Sequence, residues 1–402
     1  MSAPADISGA LAAVQDAYLQ WSGDDYDLSA LNAVLCAAAA EKLSGDPPWL
    51  LLVGGSGAAK TETLMPLRGA GARVISTVTG EAALLSASPA RDRKKKATGG
   101  LLREMGTRGI LVIKDFTSIL SMNRDTRAHV LAALREIYDG HWTRNFGSDG
   151  GGSLTWAGRV VVIGGVTTAW DAAHQVIATM GDRFLLVRLR TRHHRRAAGQ
   201  QAMANVGDEG RMRQDLSEKA KRLLAAAEAY VRAEPEPGLA AEDRESLLGL
   251  ADIVTRARTP VERDYKGNPE WAHDLEVPTR FAKQLVQIAR GGLLLGLGRE
   301  AAMRTAARCC HDSMPPIRRT VLADMAANPD SFLPDVADRT QLPKSTVDRT
   351  LQELQLLGLL EVQHVRYGDD RIRWMYSLAP GIDRDDLAKC TRNVSSGTEA
   401  RP

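Results

Sequence analysis

Residues Leu51 to Thr63, Leu-Leu-Val-Gly-Gly-Ser-Gly-Ala-Ala-Lys-Thr-Glu-Thr, constrain this chain more than any other stretch. An apolar run meets a glycine-rich turn, and a lysine and a hydroxyl residue then open a helical pattern. Such a strand–turn–helix unit buries its apolar strand only inside a sheet covered by helices. The turn also carries chemistry. Gly54, Gly55, Ser56, Gly57, Ala58 and Ala59 allow successive backbone N–H groups to curl around phosphate oxygens. Lys60 can reach terminal phosphates, and Thr61 can ligate Mg²⁺, so the implied cofactors are ATP and Mg²⁺. The positive end of the following helix is expected to add to the cradle. Ala59 stands where phosphate loops usually carry their last glycine.

At 402 residues, the chain has room for two or three domains. The net charge of +3 is too small to diagnose a polyanionic partner, so the distribution of charge matters more than its total. Cys36, Cys309, Cys310 and Cys390 show no metal-ligand spacing. No apolar run approaches a membrane span and no signal segment is visible, which gives the expectation of a cytoplasmic protein.

The pattern divides as follows: residues 1–45 helical, 46–200 an α/β core, 201–310 a helical lid, 311–380 a winged helix-turn-helix, and 381–402 a disordered tail. Asp27 is placed to start a helix whose apolar residues Leu28, Leu31, Val34 and Leu35 share a face. Strands are expected at Trp49–Val53, Arg73–Val78, Ile110–Ile113, Val160–Ile163 and Phe184–Leu189. Their alternation with helical patterns implies a mostly parallel sheet.

A phosphate loop needs an acid on a neighbouring strand for Mg²⁺ and a base for the attacking water. The candidate is Ile110-Leu-Val-Ile-Lys-Asp-Phe116, where Lys114-Asp115 stands in place of the usual Asp-Glu. Two registers are open. In one, Asp115 holds the Mg²⁺ shell and Phe116 occupies the base position; in the other, Asp115 is the base and Lys114 replaces the Mg²⁺-side acid. Either register puts hydrolysis in question and leaves binding intact.

With these residues in view, Trp49 to Arg280 resembles the ATPase core of the minichromosome maintenance (MCM) helicases, within the AAA+ class. Ala59-Lys60 matches that family's phosphate loop. Thr79-Gly-Glu-Ala82 through Gly99-Gly-Leu-Leu-Arg-Glu-Met-Gly106 resembles its helix-2 insert and the helix that follows. Ile113-Lys-Asp-Phe116 lies where the family has Ile-Asp-Glu-Phe, which favours the second register. The resemblance implies that Arg183, in Gly181-Asp-Arg-Phe184, is an arginine finger for a neighbouring subunit, and that Arg280, in Val277-Pro-Thr-Arg280, senses phosphate. Polar sensing would fall to Thr167 or Thr168, where the family has asparagine. The implied fold is an α/β, P-loop AAA+ parallel sheet with a helical lid, followed by a winged-helix domain. The implied assembly is a homo-oligomer, a hexamer in the family.

Several segments are candidates for contact with nucleic acid. The run Arg91, Arg93, Lys94, Lys95 and Lys96 sits in the helix-2 insert, which projects into the channel of MCM-like hexamers. Trp142 to Trp156 reads as a hairpin with a glycine tip; the resemblance places it at the family's pre-sensor-1 hairpin, whose tip lysine is missing here, so either Arg144 substitutes or the hairpin only stabilises the sheet. A further basic cluster, Arg188 to Arg196, leaves the core for the lid, where subunit contact, nucleic-acid contact and a solvated face are all open; its adjacent His193 and His194 diverge too much to be convincing metal ligands.

The last module reads as helix, turn, recognition helix and wing, with Ser345 as the cap of the recognition helix. Lys344, Arg349, Arg366, Arg371 and Arg373 could form a cationic face. From Ile317 to Leu378, however, eight Lys/Arg stand against nine Asp/Glu, a net of −1, so the module alone should bind DNA weakly. The leading expectation is an MCM-like helicase or replication initiator that couples ATP hydrolysis to translocation on single- or double-stranded DNA. Two alternatives stand beside it. One is an ATP-gated DNA-binding regulator or loader with little hydrolysis. The other is a remodelling subunit whose winged helix holds a protein partner.

Overall fold

The computed structural model describes residues 5–86, 99–146, 152–173, 182–190, 195–367 and 371–391. The described chain divides into two compact units. The first runs to Gly238 and includes Gln287–Thr305; the second comprises Leu239–Val286 and the residues from Ala306 onward. The segment expected as one lid, 201–310, is therefore shared between the two units.

The first unit is built on a five-stranded sheet in the order β2-β3-β6-β1-β7. These strands are β1 Leu50–Val53, β2 Arg73–Ile75, β3 Arg108–Ile113, β6 Arg159–Val166 and β7 Leu185–Arg188. All four pairings are parallel. β1 lies between β6 and β7, with Leu50 opposite both Ile163 and Leu185. Its four residues are all buried, which is why it reads as an unbroken apolar run rather than an alternating one. β4 His141–Phe146 and β5 Gly152–Ala157 form the separate hairpin expected from sequence, with Trp142 opposite Trp156.

The amino-terminal helices are Ala5–Ser22 and Leu28–Ala39. Asp27 caps the second, its Oδ1 accepting from the Ala30 N–H at 3.1 Å. This helix is rich in alanine because another backbone approaches it closely. A Cβ added at Gly291, on the helix Thr279–Leu294, would lie 2.2 Å from the Cys36 carbonyl oxygen. Gly291→Ala is therefore expected to lower the stability of the first unit by about 1–3 kcal/mol, the usual range for overpacking. Denaturant titration checks this; an unchanged midpoint would show that the crossing is loose.

The second unit carries the helix-turn-helix. Helices Pro316–Ala327, Leu333–Thr340 and Lys344–Leu356 are followed by a three-stranded sheet, order β10-β12-β11. Its strands are β10 Ser331–Phe332, β11 Leu360–Tyr367 and β12 Arg371–Leu378. The recognition helix starts at Lys344 with Pro343 as its cap, so Ser345 sits inside the first turn and is not the cap. Proline suits this position because its fixed φ leads into the helix.

Two further elements depart from expectation. The polar stretch around 264–268 closes a hairpin of β8 Val261–Arg263 and β9 Pro269–Ala272. Asp264 organises its turn by accepting from the Lys266 and Asn268 backbone N–H groups. The expected disordered tail begins instead with a helix, Arg384–Thr391. Asp383 caps it, Leu387 is fully buried, and Arg384 donates to the Ala326 carbonyl at 2.6 Å. Composition hid this helix because a single apolar anchor holds it. Residues 392–402 lie outside the described residues.

Candidate functional site

β2, β3 and β6 lie on one side of β1 and β7 lies on the other, so the sheet changes direction at β1. In open parallel sheets, the crevice at the carboxyl ends of the strands flanking such a reversal is where ligands bind. The glycine-rich loop leaves β1 at that point. Gly54 is tied to the sheet by its N–H donating to the Val166 carbonyl at 3.1 Å, whereas Gly55, Ser56 and Gly57 are exposed. Gly57 has φ +75° and Ala59 has φ +58°. Left-handed backbone costs an alanine roughly 1–2 kcal/mol, so Ala59 is held there by its surroundings.

Lys60 is half-buried, and its ammonium donates to the carbonyls of Gly54 at 2.6 Å and Gly55 at 2.7 Å. Burial lowers its pKa, and the charge of nearby Asp115 partly offsets this. Thr61 follows with an exposed side chain.

The helix after the loop is short, Lys60–Leu64, and passes into a 3₁₀ turn at Met65–Arg68. Pro66 is the cause: it lacks an N–H and cannot bond the Glu62 carbonyl. The Tyr18 hydroxyl serves that acceptor instead, donating to the carbonyls of Glu62 at 3.3 Å and Thr63 at 3.2 Å. Tyr26 stacks on Tyr18 and shares a 2.7 Å hydrogen bond with the Thr63 hydroxyl. Arg213 grips the Glu62 carboxylate with two nitrogens, at 2.8 and 3.2 Å. With so short a helix, the cradle rests on the loop N–H groups and Lys60 rather than on a helix dipole. Sequence reasoning missed both tyrosines, since nothing local marks a residue that supports a loop from another helix.

The next strand end settles where Phe116 points. Its ring is fully buried, 5.1 Å from Phe184 and 6.0 Å from Trp170 between ring centroids. It therefore cannot occupy a water-facing base position, and Asp115 is the exposed carboxylate at the end of β3, with half-buried Lys114 before it. At the end of β6, the Thr167 N–H donates to the Thr117 hydroxyl at 3.0 Å, and the two hydroxyls lie 3.4 Å apart. That joins the segment after Asp115 to the end of the neighbouring strand. Thr168 is exposed.

The loop's backbone and Lys60 fit the phosphates of a nucleotide. For Mg²⁺, the neighbouring residues supply the Thr61 hydroxyl and the Asp115 carboxylate. Among the described residues, no cluster of three or more His, Cys, Asp or Glu could hold a metal by itself.

The arginines are placed differently. Arg183 precedes β7 and so lies at the amino end of the sheet, the opposite end from the phosphate loop. Its side chain is largely buried against the Tyr138 ring, with one guanidinium nitrogen 3.5 Å from Asp139. Arg280 belongs to the second unit and lies 3.7 Å from Glu276, whose carboxylate also takes a bidentate pair from Arg258 at 2.7 and 2.8 Å. Arg144 donates to Glu81 at 3.0 and 3.1 Å and to the Leu85 carbonyl at 2.8 Å, which holds the hairpin against the helix Glu81–Leu84.

Of the basic candidates, Arg91, Arg93, Lys94, Lys95 and Lys96 lie outside the described residues, as do the hairpin tip, His193, His194 and the side chain of Arg371. Lys344, Arg366 and Arg373 are exposed, whereas Arg349 is half-buried. No helix among the described residues is long and apolar enough to cross a membrane.

Residues 321–364 match the family model described as the IclR helix-turn-helix domain. No curated protein matches the chain. Among solved structures, the chain is similar to a full-length MCM homolog from Methanopyrus kandleri, at 13% identity and a TM-score of 0.44. That match covers 78% of this chain and 63% of the other, so the chain spans less than two thirds of that protein's length. It is also similar to the Aeropyrum pernix Orc1 protein in complex with DNA, at 14% identity and a TM-score of 0.25, over 91% of this chain and 92% of that one. At these scores neither likeness bears on function. Strand order, loop position and the matched helix-turn-helix together show an α/β unit with a parallel five-stranded sheet and a glycine-rich loop after β1, joined in one chain to a helix-turn-helix with a β-hairpin wing.

Proposed function

We propose that this chain is an AAA+ ATP-binding protein that acts on DNA, with ATP and Mg²⁺ held at residues 54–61. The observation that carries this reading is the position of the loop: exposed glycines, Lys60 and Thr61 sit at the carboxyl end of the strand where the sheet reverses. DNA enters through the helix-turn-helix matched at 321–364, a module that commonly reads duplex grooves.

Within that reading, an ATP-gated DNA-binding regulator or loader with slow turnover is favoured. With Phe116 buried, Asp115 is the exposed carboxylate at the end of β3, and an ammonium precedes it where a metal-side acid normally stands. When bound, Mg²⁺ would neutralise developing phosphate charge, with Thr61 and Asp115 as its protein partners. Lys60 would hold the terminal phosphates, and the loop N–H groups would orient them.

The second reading, an MCM-like helicase or initiator working as a hexamer, turns on Arg183. A guanidinium at the far end of the sheet cannot serve its own loop, and to reach an ATP bound by an adjoining copy it would have to leave its place against Tyr138 and Asp139. Measuring ATP binding and phosphate release on one sample, with and without single-stranded DNA, tests both readings. Tight binding with turnover near background is expected. Fast, DNA-stimulated turnover would select the motor, and absence of ATP binding would remove the proposal.

A further inference from the structure

The face of the recognition helix that ordinarily meets DNA is partly occupied by the chain's own hairpin. Arg349 donates to the Lys266 carbonyl at 2.9 Å, and its guanidinium lies beside Gly267. One turn on, Glu353 is buried and takes bonds from Arg318, at 2.9 Å, and from Arg263 of β8. At the start of the helix Lys344 and Ser345 are exposed, next to an Asp348 that accepts from the Gln352 amide at 3.0 Å, and at its far end the exposed residue is apolar Leu356. One cation beside one anion is a poor partner for a phosphate backbone.

The wing presents the opposite character. In β11 and β12, His364 lies opposite Trp374 and Arg366 opposite Ile372. Side chains two residues apart share a face, so these four continue the face of buried Tyr376 outward into solvent. Trp374 is 50% exposed and Ile372 63%. The His364 ring stacks on the indole, with centroids 5.9 Å apart and planes at 25°. Arg366 is exposed beside them; the described strand residues of this face include no carboxylate, and the nearest acid is Asp348 of the recognition helix, close enough to Tyr376 to raise its pKa.

Building on the DNA-binding reading above, we infer that the wing face formed by Trp374, His364, Ile372 and Arg366 is the chief DNA contact of this module. Its ligand is an unstacked base, as in a single strand or the open end of a duplex. The indole offers a flat apolar surface that any base can cover, and the guanidinium meets the adjoining phosphate. A blunt duplex keeps its bases stacked on one another and gives the indole nothing to cover.

The test is fluorescence anisotropy of the full chain with a labelled oligothymidine, a forked duplex and a blunt duplex. Trp374→Ala should weaken the first two by roughly 5- to 100-fold, the range for loss of one base stack. Trp374→Phe should restore most of that affinity. Blunt-duplex binding by the Trp374→Ala variant should stay within about twofold of native, by the same reasoning. An equal loss on the blunt duplex, or native affinity for the single strand in Trp374→Ala, overturns the inference; the latter result leaves this face to a protein partner. If the native chain binds none of the three DNAs, the DNA reading itself fails.

Discussion

Lys60→Ala is expected to abolish the thermal stabilisation that ATP gives the native chain. At a ligand concentration 100-fold above Kd, binding adds about 2.7 kcal/mol. For a unit of this size that raises Tm by about 5–10 °C. The reason lies in what the ammonium now does. It satisfies itself on the Gly54 and Gly55 carbonyls, at 2.6 and 2.7 Å, in a setting whose burial disfavours its charge. Phosphate oxygens would replace those weak acceptors with strongly charged ones, so most of the gain on binding comes through this group. The alanine variant keeps the loop N–H groups and loses that gain. Because the free protein also loses the two carbonyl contacts, the readout is the difference in Tm with and without ATP. A native-sized shift in Lys60→Ala would place ATP elsewhere on the molecule.

Lys114→Asp should act in the opposite sense and raise ATP turnover by roughly 100-fold, about 2.7 kcal/mol of barrier. A positioned metal supplies several kcal/mol of charge stabilisation in phosphoryl transfer. The native strand end carries half-buried Lys114 immediately before the exposed carboxylate of Asp115. The substitution exchanges a repelling charge for an attracting one and leaves the aromatic cluster around Phe116 untouched. Single-turnover phosphate release at saturating ATP measures it. If the native chain already turns over quickly and Lys114→Asp slows it, Lys114 is part of the working site and the slow-switch reading is wrong.

The middle of the sheet was legible in the sequence because strands buried on both faces, such as β1, have no choice but to be apolar throughout, whereas β2 at its edge is only partly buried. All five expected strands are present, within a few residues of their expected ends. The phosphate loop was legible for a related reason: its glycines answer to a backbone geometry that Gly57 adopts at φ +75°. What could not be read were properties that depend on distant neighbours. By residue type alone Lys114-Asp115 fits two registers, the resemblance favours the second, and what sequence could not show is that Phe116 is buried against Phe184 and Trp170. Tyr18 supports the loop from another helix because Pro66 leaves a carbonyl unserved, a debt invisible at either residue alone. The hairpin Val261–Ala272 hid in a polar stretch because its strands are short and mostly exposed. In the recognition helix, counting charges treated Arg349 as available, whereas its donors face the Lys266 carbonyl.

The buried carboxylate of Glu353 has a practical consequence for dissecting this protein. Its neutralising partner Arg318 also donates to the carbonyls of Ala257 and Thr259, at 2.9 and 2.7 Å, and its second partner is Arg263. Cutting the chain near residue 311 would remove those acceptors together with Arg263, leaving Glu353 as the remaining partner of a guanidinium whose charge burial disfavours. A fragment that begins at Leu239 keeps every member of this polar knot, but it also carries Gln287–Thr305, which belongs to the first unit, so no single cut separates the two halves cleanly.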